Sequence, residues 1–114
     1  MTLLEETIEE LGGHYLSPSD VEYVKDYLVY CTWEEFSELA NHDYDNGFGA
    51  NEVSLYLKVV GKDWWLERHE YDGSEWWEFK SMPEKPNIHD KDKINIWDKY
   101  SDVHSELCKK LGIR

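Results

Sequence analysis

The sequence predicts an α+β domain in the order ααα-βββ-α, and three observations carry that prediction. Apolar residues recur at helical spacing before residue 42, they alternate with polar ones from Val53 onward, and the turn dipeptides Gly61-Lys62 and Asp72-Gly73 divide the alternating stretch into strands. Helices packed on one face of a small antiparallel sheet satisfy that order. At 114 residues the chain has the length of a single domain, 1–114, able to bury roughly two thirds of its unfolded surface around one core.

The first helix is announced by Thr2 and Glu5, a capping-box pair, with Leu4, Ile8 and Leu11 on one face and Gly12-Gly13 as the stop. Ser17-Pro18-Ser19-Asp20 has the form of an N-cap with Pro at the first helical position. Val21, Val24, Leu28 and Cys31 then follow at helical spacing, and Tyr23, Tyr27 and Tyr30 form a second stripe. Thr32 and Glu35 repeat the capping box and open a third helix to about Asn41, with Trp33, Phe36, Leu39 and Ala40 inward.

Residues 41–52 form a loop by their Gly, Asn and Asp content. Three strands follow, at about 53–60, 63–71 and 74–81. Both turns place Leu55, Leu57, Val59, Trp64, Leu66, Trp77 and Phe79 on one core side. Tyr56, Lys58, Trp65, Glu67, His69, Tyr71, Trp76, Glu78 and Lys80 fall on the other. Residues 83–96, with Pro83 and Pro86, make a surface connector. A closing helix from about Asp98 carries Tyr100, Val103, Leu107 and Leu111, with Lys109 and Lys110 in its last turn and Gly112 after it.

Charge is distributed unevenly. Of 25 carboxylates, thirteen lie in residues 1–52, where Lys25 is the sole Lys or Arg, while residues 53–114 nearly balance within a net charge of −13. A one-sided anionic surface attracts cationic partners and repels nucleic acid. Six Trp and eight Tyr supply enough apolar area to argue against disorder. Cys31 and Cys108 are far apart, and the chain opens without a basic and apolar secretion signal, so a cytoplasmic protein with reduced thiols is expected. No apolar run approaches the roughly 20 residues of a membrane span.

The run DWWLERHEYDGSEWWEFK from Asp63 to Lys80, preceded by Gly47-Phe48-Gly49, resembles a segment of small acidic, uncharacterised proteins of bacteria and their phages or mobile elements. The resemblance carries over no catalytic or binding residue. It implies a context in which small acidic proteins inhibit nucleic-acid enzymes, for example a host-defence nuclease such as a CRISPR effector (an anti-CRISPR role).

The candidate partner-binding residues are therefore Glu5, Glu6, Glu9, Glu10, Asp20, Glu22, Asp26, Glu34, Glu35, Glu38, Asp43 and Asp45. Ranged along helix faces, such carboxylates approach the charge density of duplex DNA, about one charge per 1.7 Å of axis. The competing reading is a solvated acidic surface that maintains solubility. Expected is a non-enzymatic inhibitor or decoy binding a basic nucleic-acid-binding protein by charge mimicry, without cofactor. The alternative is a carbohydrate- or peptide-binding module using Trp65, Tyr71 and Trp76 as an aromatic platform, against the plainer expectation that another element covers those rings.

Two further patterns invite comparison with known chemistry. Asn41, Asp43, Asp45 and Glu52 sit at positions 1, 3, 5 and 12 of a calcium loop, but Asn46 replaces the turn Gly and a strand follows, so a polar loop is the better reading. Glu67 and Glu78 face each other beside His69, as a glycosidase pair would. Lys58 and Lys80 flank them, and neutralisation rather than catalysis is expected.

Overall fold

The computed structural model describes residues 1–47, 49–98 and 100–111. The chain divides into two units, Met1–Pro83 and Glu84–Arg114. In the first unit, helix α1 spans Leu3–Gly13, a single 3-10 turn covers Pro18–Asp20, and strands β1 (Tyr23–Lys25) and β2 (Tyr30–Cys31) form a small hairpin. Helix α2 (Trp33–Ala40) follows, then β3 (Lys58–Val60), β4 (Trp64–Tyr71) and β5 (Ser74–Ser81). The five strands form one antiparallel sheet in the order β2-β1-β3-β4-β5. The fold is α+β, but the predicted ααα-βββ-α order is corrected. Two N-terminal helices and a five-stranded sheet replace three helices and a three-stranded meander.

The second predicted helix is the element that changed. Its cap forms, since Asp20 accepts from the Ser17 amide at 2.8 Å, yet only one 3-10 turn follows. Residues 21–31 are rich in Val and Tyr, which pack better on a pleated surface than against a preceding helical turn. Val24 pairs with Val59 on one side and Cys31 on the other, burying Val24 completely. The Asp26 carboxylate then closes the hairpin by accepting from the amides of Leu28 (2.8 Å) and Val29 (2.9 Å). Leu28, expected inward on a helix, is 84% exposed at the tip.

The first strand of the meander is shorter than predicted. β1 is only three residues long and pairs with Lys58–Val60, so no partner reaches residues 53–57. The Val53 amide is instead taken by the buried Glu75 carboxylate, and Leu57 bonds back to Ser54, leaving Leu55 exposed. The turn after β3 also moves by one residue. Val60 faces Trp65 and Gly61 bonds to Trp64, so Lys62-Asp63 is the tip and Val59 pairs with Leu66 rather than Trp64. A shift of two in register preserves side-chain parity, which is why the core face came out correctly apart from Leu55. Gly61 is required there, because a Cβ would fall inside the Trp64 indole. The Asp72-Gly73 turn forms as expected, with positive φ at both residues, and sets Leu66 opposite Phe79 and Arg68 opposite Trp77.

Both capping boxes form: the Thr2 and Thr32 hydroxyls accept from the amides of Glu5 and Glu35, whose carboxylates accept in return. Both helices pack on one face of the sheet, with Leu11, Phe36 and Ala40 against Val24, Val59, Leu66 and Trp77. Two helical stripes differ from expectation. Thr7, not Ile8, is buried on α1, where its hydroxyl donates to the Leu3 carbonyl (2.7 Å) and accepts from Trp77 Nε1 (2.9 Å). Leu39 of α2 is 79% exposed.

The second unit holds α3 (Asp102–Leu111), shorter at its start than predicted. Tyr100 and Val103 are exposed. Gly112 and Phe48, and the side chains of His104, Leu107, Cys108, Lys110 and Leu111, lie outside the described residues.

Candidate functional site

Ten of the twelve predicted acidic residues are exposed, and the other two, Glu6 and Glu10, are half-buried. Glu5, Glu9, Glu34, Glu35 and Glu38 lie on α1 and α2. Asp20, Glu22 and Asp26 were expected on a helix and instead occupy the 3-10 turn, the segment after it and the β1–β2 hairpin. Several acids serve local structure. Glu5 and Glu35 are held below the usual carboxylate range by the Thr2 and Thr32 amides and hydroxyls, and Asp26 by the Val29 and Leu28 amides. Asp43 meets the Met1 amine at 3.2 Å, and Asp45 accepts from the Gly47 amide. Glu10 pairs with His14. For Glu9, Glu22, Glu34 and Glu38, the described residues supply no hydrogen bond or ion pair, so their carboxylates face water.

Glu6 turns inward, and there the sequence reading missed a site. Arg68 and Glu75 occupy core-side positions of the β4–β5 hairpin, with side chains 0% and 1% exposed and Nη2 to Oε1 at 3.0 Å. The guanidinium also donates to Tyr44 Oη at 3.0 Å, lies 3.6 Å from Glu6 and stacks over the Trp77 ring at 4.8 Å. Tyr44 Oη donates a short hydrogen bond to Glu6. Burial, with that bond to Glu6, pushes the Tyr44 phenol up to about 12 despite the nearby Arg68. Glu75 also accepts from the amides of Glu52 (2.7 Å) and Val53 (2.9 Å), so one buried carboxylate anchors the end of the 41–52 loop. The parity signal was present: an Arg and a Glu both fall on the core face of one hairpin.

On the outer face the predicted pairing of Glu67 with Glu78 is observed. His69, rather than Lys58 or Lys80, bridges them, with Nε2 2.7 Å from Glu67 and Nδ1 2.7 Å from Glu78. Trp65 Nε1 donates to Glu67 at 2.7 Å; that bond, then the His69 contact and the charge of Lys58, hold Glu67 below its usual range. The platform residues divide: Trp65 is half-buried, whereas Trp76 is 38% and Tyr71 76% exposed.

Among the described residues no three His, Cys, Asp or Glu are placed to hold a metal ion. No helix among them is long and apolar enough to cross a membrane.

A feature absent from the sequence reading is the apolar tip of the β1–β2 hairpin. Tyr27, Leu28, Val29 and Tyr30 are all exposed, and Leu39 of α2 is exposed as well. A cleft of about 300 Å³ opens between hairpin and helix, lined by Val24, Val29, Cys31, Phe36, Leu39 and Leu57, with Asp26 also in its wall. Its only signal in the sequence was the Tyr-Leu-Val-Tyr run, read there as helical. No protein-family model matches the chain, and neither does any curated protein or solved structure.

Proposed function

We propose that this chain is a non-enzymatic binding protein that engages a basic, nucleic-acid-binding partner through its acidic N-terminal half. One observation carries the reading: ten exposed carboxylates are distributed over α1, α2 and the segments beside them, with Lys25 as the only Lys or Arg in residues 1–52. The mechanism is electrostatic and steric competition with nucleic acid for the partner's basic groove. Association is fast and weakened by salt, because exposed charges are screened within about 8–10 Å at physiological ionic strength. The resemblance of the Asp63–Lys80 hairpin to acidic proteins of mobile elements fits a cytoplasmic inhibitor of a host-defence nuclease such as a CRISPR effector.

The test compares retention of basic proteins from bacterial lysate by wild type and by a Glu9→Gln, Glu34→Gln, Glu38→Gln triple variant, at low and high salt. Wild type retains a basic partner that salt releases, and that nucleic acid displaces; the variant retains less. Retention that ignores salt, or is unchanged in the variant, removes the reading.

A second reading has its own support in the exposure of Tyr71 and Trp76. These rings form a platform on which a sugar or peptide stacks. Trp fluorescence titrated with a glycan panel tests it, since stacking changes emission and Trp76→Ala abolishes that change.

A further inference from the structure

Independently of the acidic reading, we propose that the free edge of β5 pairs with the same edge of a second copy of this chain, antiparallel and centred on Phe79, joining two five-stranded sheets into one. The edges of the sheet are β2 and β5. At two residues β2 is too short to template a partner, whereas β5 runs for eight. Backbone groups along β5 alternate in direction. The Met82 amide donates inward to the Asp63 carbonyl, and the Glu75 amide donates outward to the Asn46 carbonyl of the 41–52 loop. Even-numbered residues of β5 therefore bond to β4, and odd-numbered ones point away from it. The amides and carbonyls of Trp77, Phe79 and Ser81 form an outward row to which no group among the described residues bonds.

The symmetry of the stretch selects its occupant. Asn46 closes the edge at Glu75, and Pro83, which has no amide hydrogen, closes it at the other end, so residues 76–82 are open and Phe79 is their midpoint. A two-fold axis through that midpoint sets Trp77 opposite Ser81 of the second copy, where they exchange backbone bonds. Glu78 then faces Lys80 of the second copy on both sides of the axis, and Trp76 faces its Met82. Opposite charges and apolar groups directly across two strands are favourable pairs. Lys80 is exposed and has no ion pair among the described residues, and Glu78 meets His69 through Oε2 alone, which leaves Oε1 for the lysine. Trp76 and Met82 are 38% and 61% exposed. The neighbouring registers that still match outward groups are centred on residue 78 or 80, and they set Glu78 against Glu78 or Lys80 against Lys80. An unrelated strand has no reason to match this pattern; a second copy matches it by symmetry. Both copies' helices then lie on one face of the joined sheet, with their acidic halves on the same side. Each chain carries −13, so repulsion opposes the pairing and salt strengthens it by screening.

Sedimentation velocity of the full chain under reducing conditions, over a series of concentrations and salt, reads the dimer directly, and circular dichroism verifies that each variant is folded. Wild type is expected to dimerise, more tightly at high salt, the opposite sign to binding of a basic partner by the acidic surface. Lys80→Glu and Glu78→Lys each set like charges across the axis and weaken the dimer about tenfold or more. An equimolar mixture of those two variants restores it, because every charged pair of the mixed dimer again has an acid facing a base. Ser81→Pro removes one outward amide without touching the β4 ladder, a position where an edge strand tolerates Pro, and it abolishes dimerisation. A wild type that stays monomeric at every concentration and salt overturns the proposal, as does a dimer that ignores Lys80→Glu or Ser81→Pro. A mixture of the two charge variants that stays monomeric overturns the register. A dimer that Leu39→Gln dissolves belongs to the apolar cleft and overturns the β5 edge. None of these outcomes alters retention of a basic protein by the carboxylates of α1 and α2, so the two readings fail separately.

Discussion

The two faces of the β4–β5 hairpin carry ionic clusters built from the same kinds of residues and separated by one strand position, yet they do different work. On the core face, Arg68 and Glu75 are sealed from water and bound to Tyr44, Glu6 and two loop amides. On the outer face, His69 sits between Glu67 and Glu78 with about a third of its side chain exposed. A buried cluster is committed, because removing one member strands an uncompensated charge, whereas a half-exposed cluster can be resolvated by water. The lesson is that burial, not composition, decides whether a charged group here is structural or available.

Breaking the core side should have the largest effect. Arg68→Ala leaves Glu75 buried without its cation, and urea denaturation is expected to show a loss of about 3–5 kcal/mol. The double variant Arg68→Met, Glu75→Leu sharpens the point. Apolar replacement of a buried pair is often neutral, but here stability should not recover, since the Glu52 and Val53 amides lose their acceptor.

Next in size is Thr7→Val, which keeps the shape but strands the buried Trp77 N–H. Thermal or urea unfolding should register about 1–3 kcal/mol. His69→Ala on the outer face leaves Glu67 directly opposite Glu78 and should cost only about 0.2–1 kcal/mol. A loss as large as that of Arg68→Ala would erase the distinction between the faces.

The pH response separates the faces without mutation. Tyr44, at about 12 in the folded protein against 10.0 for a free phenol, contributes stability that is complete below about 10 and lost as pH rises toward about 12. Glu67 has the opposite sign: held low by Trp65 and His69, it contributes stability present above its unfolded value of 4.5 and lost as pH falls through its lower folded value. Stability curves of Tyr44→Phe and Glu67→Gln should flatten at the alkaline and acid ends respectively. Smallest of all, Glu34→Gln should move stability by no more than about 0.5 kcal/mol, with its effect confined to binding.

Local signals were legible where they are satisfied locally. Thr2 with Glu5, Thr32 with Glu35 and Asp72-Gly73 each complete their bonds within three or four residues, and each formed as expected. The Ser17–Asp20 cap was also legible, but a cap fixes where a helix starts and not how far it runs. The candidate acids were legible as exposed, with Glu6 the instructive exception: nothing near it in sequence marks the guanidinium 62 positions later that draws it inward.

By itself, the sequence determined the caps, the Asp72-Gly73 turn, the core-side parity of the Trp-rich hairpin and the concentration of charge in residues 1–52. Each depends on neighbours a few residues apart or on composition, which folding cannot change. The tertiary structure alone decided that residues 23–31 pair as strands, that Arg68 is buried against Glu75, and that Val29 and Leu39 stand open at a cleft. Those outcomes depend on contacts between distant segments: Val24 with Val59, Arg68 with Tyr44, and the hairpin with α2. Where a short segment's own preferences are weak, the partner that buries it chooses its conformation.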